Sequence, residues 1–181
     1  TTAVNEDNSV KVEVQTNGTT VGSLNGGMKV DLPVSQPTAG TVAVLVDANG
    51  NETVLPKSAV NGSEVAVLLE NGSATIKFVD NAQSFADTDN HWAKISIAFV
   101  SSRNLFQGME NNNFKADVPM NRAMLVTVLH RLESTPAAGS VSFDDVPADS
   151  YYATAAAWAA GKGIVTGDAS GFSGDRSVTR E

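Results

Sequence analysis

Residues 1–81 alternate apolar and polar side chains with a period of two. Successive side chains of a β-strand point to opposite faces of a sheet, so this alternation predicts strands. The predicted strands are Val10–Val14, Met28–Val34, Val42–Val46, Val65–Leu69, Ala74–Phe78 and a short one over Glu52–Leu55. Pro33 lacks a backbone donor, so we expect the second strand to lie at a sheet edge.

Five Asn-Gly pairs lie among the predicted strands, at Asn17, Asn25, Asn49, Asn61 and Asn71. This dipeptide favours the positive φ angles of tight hairpin turns, which indicates an antiparallel sheet. One face of such a sheet is apolar and must be covered. We therefore expect a β-sandwich or barrel over residues 1–81, acting as a spacer or interaction module. The loop at Asp47 is interpreted as a hairpin loop, because Glu52 stands where a calcium loop needs glycine.

The second half of the chain contains a tandem repeat. Ser84–Asp87 matches Ser142–Asp145 at an offset of 58 residues. Further matched pairs follow in the same order: Trp92 with Tyr151, Phe99 with Trp158, Gly108 with Gly167, Phe114 with Phe172, Asp117 with Asp175 and Arg122 with Arg180. Such ordered recurrence marks a repeat architecture. We place the first repeat at 82–135, and a linker with the second repeat at 136–181.

Each repeat is predicted to form a helix, a loop and a second helix. The first helix carries an apolar stripe of Trp92, Ile95 and Phe99 in repeat one, and of Tyr151, Ala155 and Trp158 in repeat two. This spacing places each stripe on one helical face, which favours a core position for both tryptophans. The first helices are expected to end near Asn104 and Gly163, residues that tolerate a left-handed C-cap.

The second helix of repeat one is expected to begin after Asn121, with a buried stripe of Leu125, Val128, Leu129 and Leu132. Its counterpart in repeat two would begin after Thr179, but the sequence stops at Glu181. We therefore expect a truncated second repeat and a parent protein that continues. The uncovered apolar surface is expected to pack on repeat one, on the β module or on a neighbouring chain, which allows self-association.

Composition excludes several classes of protein. The chain has no cysteine, which removes disulfides and cysteine-based zinc sites. Its formal net charge of −8 argues against general nucleic-acid binding. Its longest apolar stretches are far shorter than a bilayer span, so we expect no membrane insertion.

No catalytic or metal site is expected from the sequence. It shows no Ser-His-Asp grouping, metal cluster or phosphate loop, so we expect no enzyme activity and no cofactor. Asp87 and Asp145 are equivalent repeat positions, which favours roles in loops or helix starts over a catalytic pair. His91 and His130 lie too far apart to suggest a zinc site. We interpret His91 as a partly exposed cap and His130 as a surface or seam residue.

Arg122 and Arg180 are the candidate binding residues. Asn121 and Thr179 are good N-cap residues, which puts each arginine at the first helical position. A cation there faces the positive end of the helix dipole, so stability alone does not explain it. One interpretation is a salt bridge to Asp117 or Asp175. The other is an anion site made of free helical N–H groups and a guanidinium that grips a carboxylate.

These residues resemble the S-layer homology family. The similarity in repeat two rests on Phe143-Asp144-Asp145, Tyr152-Ala153, Gly163–Gly167, Phe172 and Val178–Glu181. The similarity in repeat one rests on Phe85-Ala86-Asp87, His91-Trp92-Ala93, Gly108, Phe114 and Asn121-Arg122-Ala123. Repeat one departs from the family pattern at Asn121, Met124 and Asn104. The resemblance covers about residues 82–181 and leaves the β module unassigned.

The resemblance implies an extracellular protein attached to the bacterial cell wall or S-layer. Three such repeats usually form a pseudo-trimer whose grooves bind secondary cell-wall polysaccharide, often through a pyruvylated amino sugar. The motif arginines would meet the pyruvate carboxylate, which implies saccharide binding by Arg122, Arg180, Thr179 and Asn121. Weaker candidates are Trp92, Gly167 and Asp175. The departures in repeat one imply that Arg180 matters more than Arg122.

Two other functions remain open at this point. In the first, the β module is an adhesin or glycan-binding domain that the repeats merely tether. In the second, the chain is the C-terminal anchor of an upstream hydrolase that is bound to the cell wall.

Overall fold

The computed structural model describes residues 2–4 and 9–179, which form an α+β chain divided into two compact units, Thr1–Phe114 and Lys115–Glu181. Its strands are β1 (Thr2–Val4), β2 (Val10–Glu13), β3 (Gln15–Thr16), β4 (Thr19–Thr20), β5 (Ser23–Pro33), β6 (Thr41–Val46), β7 (Glu52–Val54), β8 (Ser58–Asn61), β9 (Glu64–Asn71) and β10 (Ser73–Asp80). Its helices are α1 (Lys94–Ser102), α2 (Arg122–Leu132) and α3 (Ala153–Gly161). A 3₁₀ turn covers Glu110–Asn112.

The described residues of the first unit form three antiparallel sheets. A five-stranded sheet has the order β1-β2-β10-β6-β7, a three-stranded sheet has the order β5-β9-β8, and β3 pairs with β4. One buried cluster draws side chains from the two larger sheets, among them Val12, Ile76, Leu32 and Val67. All six predicted strand segments are therefore confirmed. The edge position of β5, which ends at Pro33, is also as expected.

Four of the five Asn-Gly pairs lie where consecutive strands are connected, and Asn61 and Asn71 are themselves the last residues of β8 and β9. Asn17 and Gly18 both have positive φ, 51° and 79°, and connect β3 to β4. The exception is Asn25-Gly26, which lies inside β5 where the register to β9 shifts between Ser23 and Met28. Gly26 has a φ of 107°, so its freedom serves a strand irregularity there instead of a hairpin turn.

The loop that begins at Asp47 is held as a hairpin loop. The Asp47 carboxylate accepts the backbone N–H groups of Asn49 and Asn51, both at 2.8 Å, and the side-chain amide of Asn51 at 2.8 Å. These bonds, led by the Asn51 side-chain amide, lower the pKa of Asp47. The interpretation as an ordinary hairpin loop is confirmed.

The first helices of both repeats end in the same way. Asn104, with a φ of 57°, donates its N–H to Ser101 O at 2.9 Å, and Leu105 donates to Val100 O at 3.1 Å. In repeat two, Gly163 and Ile164 make the equivalent bonds to Ala160 and Ala159 at 3.0 and 2.8 Å. These are paired C-terminal bonds of the Schellman type. Both predicted helix ends are confirmed.

The predicted buried stripe of α1 is wrong. Trp92 and Ile95 are 89% and 75% exposed, and Ile97 is the buried apolar residue of this helix. The physical reason is that α1 is covered on another side, where its C-terminal end contacts β6. A helical period identifies an apolar face but not the face that a neighbouring element covers.

The second unit is built around α2 and α3. Its buried cluster contains Val126 of α2, Phe172, and four residues of α3: Ala155, Ala156, Trp158 and Ala159. The core position of Trp158 is confirmed, whereas Tyr151 is 65% exposed. The face of α2 that is most buried is Ala123, Val126, Thr127 and His130, so the predicted stripe of Leu125, Val128, Leu129 and Leu132 is only half-buried. Among the described residues, no helix is long and apolar enough to cross a membrane.

Candidate functional site

The Phe-x-Asp motif organises the loop of repeat one. The ring of Phe85 packs edge-on against Phe114, with ring centroids 5.2 Å apart. Two residues later, the Asp87 carboxylate accepts the N–H of Phe114 at 2.8 Å. The motif thus fastens the chain before α1 to the loop that follows it.

Repeat two builds the same loop from equivalent residues. Phe143 lies 5.4 Å from Phe172, and the Asp145 carboxylate accepts the N–H groups of Phe172 and Ser173, each at 2.7 Å. These two bonds, first from Phe172 and then from Ser173, lower the pKa of Asp145. The predicted loop role of both aspartates is therefore confirmed.

Gly108 and Gly167 occupy equivalent places against the motif phenylalanines. A Cβ atom at Gly108 would lie 2.5 Å from Phe85 Cε1, and one at Gly167 would lie 2.8 Å from Phe143 Cε1. Gly108 also has a φ of 75°. The glycines of the repeat motif are therefore required by close approach to an aromatic ring.

The Arg122 guanidinium is fixed by the loop of repeat two. Its Nε donates to Phe172 O and its Nη2 to Thr166 O, both at 2.9 Å. Its Cζ atom lies 5.0 Å from the centroid of the Phe172 ring. Among the residues that the structure describes, its Nη1 group has no protein acceptor. Arg122 therefore combines a fixed position with remaining donor capacity.

The start of α2 does not provide free backbone amides. Arg122 N donates to Arg176 O and Ala123 N to Gly174 O, both at 2.9 Å. The Asn121 side chain accepts from Met124 N at 2.8 Å, which confirms Asn121 as the N-cap. The interpretation of this helix start as a set of free N–H groups for an anion is therefore wrong, because the chain itself supplies the acceptors.

Other predicted site residues lie around this helix start or apart from it. Gly167 follows Thr166, whose carbonyl accepts from Arg122. Asp175 and Thr179 are exposed, and Asp175 lies near enough to Tyr151 to affect its pKa. Trp92 lies in the other unit, exposed beside His91 with ring centroids 5.6 Å apart. Arg180 lies outside the described residues.

Three aromatic rings form a row that begins at Phe172, the ring next to the Arg122 guanidinium, and ends at an exposed tyrosine. Tyr152 stacks on Phe172 at 5.9 Å, and the exposed Tyr151 packs edge-on against Tyr152 at 5.2 Å. The pKa of Tyr151 is raised, first by desolvation and then by Tyr152 and Asp175. The repeat alignment pairs Tyr151 with Trp92, and the helical spacing predicts a core position for Trp92 and an apolar stripe that includes Tyr151. The structure shows instead that Trp92 and Tyr151 are both exposed, which the sequence did not indicate.

The two histidines have structural partners. His91 is half-exposed as expected, but it is not the cap of α1: its Nδ1 accepts the N–H of Ala93 at 3.1 Å, and Ala93 is the N-cap residue. His130 is buried, with Nε2 2.7 Å from Pro136 O and its ring 5.3 Å from Trp158, so it is a seam residue between α2 and α3. Within residues 2–4 and 9–179, no group of three or more His, Asp or Glu side chains is arranged to hold a metal ion.

The sequence also missed the acceptors of Arg122. They are backbone carbonyls of Thr166 and Phe172, which residue type does not reveal. The repeat alignment could have located these acceptors only approximately, because both carbonyls belong to the loop that it identifies between Gly163 and Phe172.

Comparison with known proteins gives one family and several enzymes. The S-layer homology domain family model matches residues 84–123 and 142–181. Endo-1,4-beta-xylanase A of Thermoanaerobacterium saccharolyticum is 31% identical over 99 residues, which is 54% of this chain and 9% of the relative. Amylopullulanase of Thermoanaerobacterium thermosulfurigenes is 30% identical over 100 residues, which is 55% of this chain and 5% of the relative.

A third relative, Exoglucanase XynX of Acetivibrio thermocellus, is 30% identical over 99 residues, which is 54% of this chain and 9% of the relative. The aligned part of the chain thus spans less than a tenth of the length of each of these three relatives. No solved structure matches the chain.

Proposed function

We propose that the two segments that match the S-layer homology domain family, residues 84–123 and 142–181, bind secondary cell-wall polysaccharide and so attach this cell-surface protein to the cell wall. S-layer homology domains anchor surface proteins to the cell wall. The ligand group that we assign is an acidic saccharide, such as a pyruvylated amino sugar, whose carboxylate meets a motif arginine.

The observation that carries this proposal is the fixed guanidinium of Arg122. Two of its nitrogen atoms are held by carbonyls, so the side chain loses little further freedom when it binds a ligand. Its Nη1 hydrogens remain to donate to a carboxylate in a charge-assisted bond. Since the amides of α2 are already bonded, the guanidinium itself would supply the contact with the anion.

Exposed aromatic residues support a saccharide in preference to a bare anion. Trp92 and Tyr151 occupy equivalent positions before the first helices, and both are exposed. An indole or phenol ring offers an apolar face to a sugar ring and a polar edge to its hydroxyl groups. We therefore include Trp92 among the saccharide-contacting residues.

The chain acts in this proposal without catalysis of its own. The three enzymes match it over about 100 residues and less than a tenth of their length. Such a match is consistent with a shared attachment segment, and the proposed role of the 181 residues is attachment.

The test is sedimentation of the 181-residue chain with purified cell walls. We expect Arg122→Ala to weaken binding by about 1.5–3 kcal/mol, the range for a hydrogen bond to a charged group. Arg122→Lys should restore only part of this loss, because an ammonium keeps the charge but not the planar fork. Trp92→Ala should weaken binding without affecting the fold.

Lys162→Ala is the matched control, since it removes an exposed cation from the same unit. Far-ultraviolet circular dichroism reports whether each variant is folded. If folded Arg122→Ala binds the walls as well as the unmodified chain does, Arg122 has only a structural role and does not contact the saccharide. Equal binding to walls from which the secondary polymer has been extracted would contradict the polysaccharide as ligand.

A further inference from the structure

The residues at the C-terminal end of α1 are buried and polar, and the equivalent residues of repeat two are less buried. Arg103 is 1% exposed, whereas its equivalent after α3, Lys162, is exposed. Ser101 and Ser102 are also buried, whereas their equivalents Ala160 and Gly161 are half-buried and exposed, respectively. The same position of the repeat therefore has a different role where a β module precedes it.

Arg103 reaches three separate segments of the β module. Its Nε donates to Ser58 O at 2.7 Å, its Nη2 to Thr41 O at 3.0 Å and its Nη1 to Ala39 O at 3.5 Å. These carbonyls lie at the start of β8, at the start of β6 and in the turn before β6. One guanidinium thus connects the repeat to two strands and a turn of the β module.

The same side chain is also held by its own helix. Nη1 donates to Phe99 O at 2.9 Å and to Ser102 Oγ at 3.0 Å, and Cζ lies 3.6 Å from the centroid of the Phe99 ring. Burial lowers the pKa of Arg103 to about 10, so the group is still a cation at neutral pH. A buried cation is tolerated only where its donors find acceptors, and here backbone carbonyls supply most of them.

The connecting segment after β10 is fixed as well. Asn81 Nδ2 donates to Ser102 O at 2.6 Å. The Asp80 carboxylate accepts Thr38 Oγ1 at 2.8 Å and the N–H of Ala82 at 3.0 Å. A flexible linker would leave such side chains in water. Residues 80–82 are instead hydrogen-bonded to the end of α1 and to the turn before β6, which are segments that Arg103 also contacts.

We propose that Arg103 locks the β module and the first helix of repeat one into a single body, so that the β module is a spacer of fixed orientation relative to that helix. This role is separate from saccharide binding and does not depend on it. It also distinguishes the β module from an adhesin on a flexible tether. The planar guanidinium is essential, because a lysine cannot donate to Ser58 O and Thr41 O from two nitrogen atoms.

The absence of native cysteine makes the joint measurable by spin labelling. Ala48→Cys places a label on the exposed β6–β7 loop, and Ser96→Cys places one on the exposed side of α1. The full chain should give one narrow distance distribution by double electron–electron resonance. Arg103→Met should broaden this distribution and accelerate amide hydrogen exchange at residues 99–102 relative to residues 42–45, by roughly tenfold or more.

Lys162→Met, the same change at the equivalent position of repeat two, should leave both measurements unchanged. Arg103→Lys should give intermediate broadening, and it replaces Arg103→Met if circular dichroism shows that the methionine variant is unfolded. A broad distribution in the unmodified chain would overturn the fixed joint. A narrow distribution and unchanged exchange in folded Arg103→Met would overturn the role of this side chain.

Discussion

Gly108 and Gly167 recur in the two repeats because each lies too close to an aromatic ring for any larger residue. Both lie against the edge of a motif phenylalanine at a distance that leaves no room for Cβ. The sequence alone identifies them as matched positions, because the repeat alignment is a local comparison. It cannot identify the ring that each glycine touches, since Phe85 and Phe143 lie more than 20 residues earlier in the chain.

We expect Gly108→Ala to be more destabilising than Gly50→Ala. The two glycines have φ angles of 75° and 83° in the same unit, but an added Cβ at Gly50 meets nothing within 4 Å. Gly50→Ala should cost about 1–2 kcal/mol from backbone strain alone. Gly108→Ala should cost a further ~1–3 kcal/mol from overpacking. Urea denaturation followed by far-ultraviolet circular dichroism measures both, and equal losses would show that Phe85 moves aside.

Asp145 is expected to contribute to acid denaturation of the second unit. Its lowered pKa lies below the unfolded value of about 3.9, so the ionised group stabilises the fold at neutral pH. This contribution is lost as the pH falls through the native pKa, below about pH 4. Asp145→Asn should therefore reduce the melting temperature at pH 7 and flatten its fall between pH 5 and pH 2.

Asp144→Asn is the control for Asp145, because it removes the exposed carboxylate next to it. Its melting temperature should fall with acid as steeply as that of the unmodified chain. Identical acid profiles for Asp145→Asn and the unmodified chain would contradict the stabilising role of the two bonds to Phe172 and Ser173.

At the scale of elements, boundaries were predictable and covered faces were not. The six strands, the N-cap at Asn121 and the two helix ends follow from short-range signals of alternation, capping and left-handed backbone. The face that a helix buries depends on elements distant in the sequence. For α1 the covering element is β6, and the residues that adapt to it include two serines and an arginine, which no hydrophobic period marks.

The two tryptophans provide a direct test of these faces. We expect Trp158→Ala to destabilise the second unit by about 3–5 kcal/mol, as for a large buried side chain. Trp92→Ala should change stability by no more than about 0.5 kcal/mol, because the side chain is exposed. Urea denaturation of both variants measures the difference. A large loss for Trp92→Ala would mean that this residue is covered in solution.

At the scale of the whole chain, the packing units do not follow the sequence repeats. The first unit joins the β module to the first helix and loop of repeat one, and α2 belongs to the second unit. The division at residues 81 and 135, which the repeats suggest, remains a prediction about domains. The reason for the difference is that each unit requires a covered core, whereas a repeat records only sequence similarity.

We expect the two units to respond separately to core substitutions. In a Trp92→Phe background, Trp158 emission reports on the second unit, while the strand signal in circular dichroism reports on the first. Val126→Ala should lower the stability seen by Trp158 by roughly 2 kcal/mol and leave the strand transition unchanged. Val67→Ala should do the reverse. Equal shifts of both signals in either variant would show that the units unfold as one.

The bonds at the start of α2 also define where this chain can be divided for protein engineering. Arg122 and Ala123 belong to the first repeat, but their N–H groups are satisfied by carbonyls of the second. A gene fusion that begins at residue 136 would therefore transplant a loop without the helix that its carbonyls bind. A fusion that begins near Lys115 keeps both the donors and the acceptors of these bonds. The segment that can be transferred to another protein therefore begins in the middle of the first sequence repeat and not at a repeat boundary.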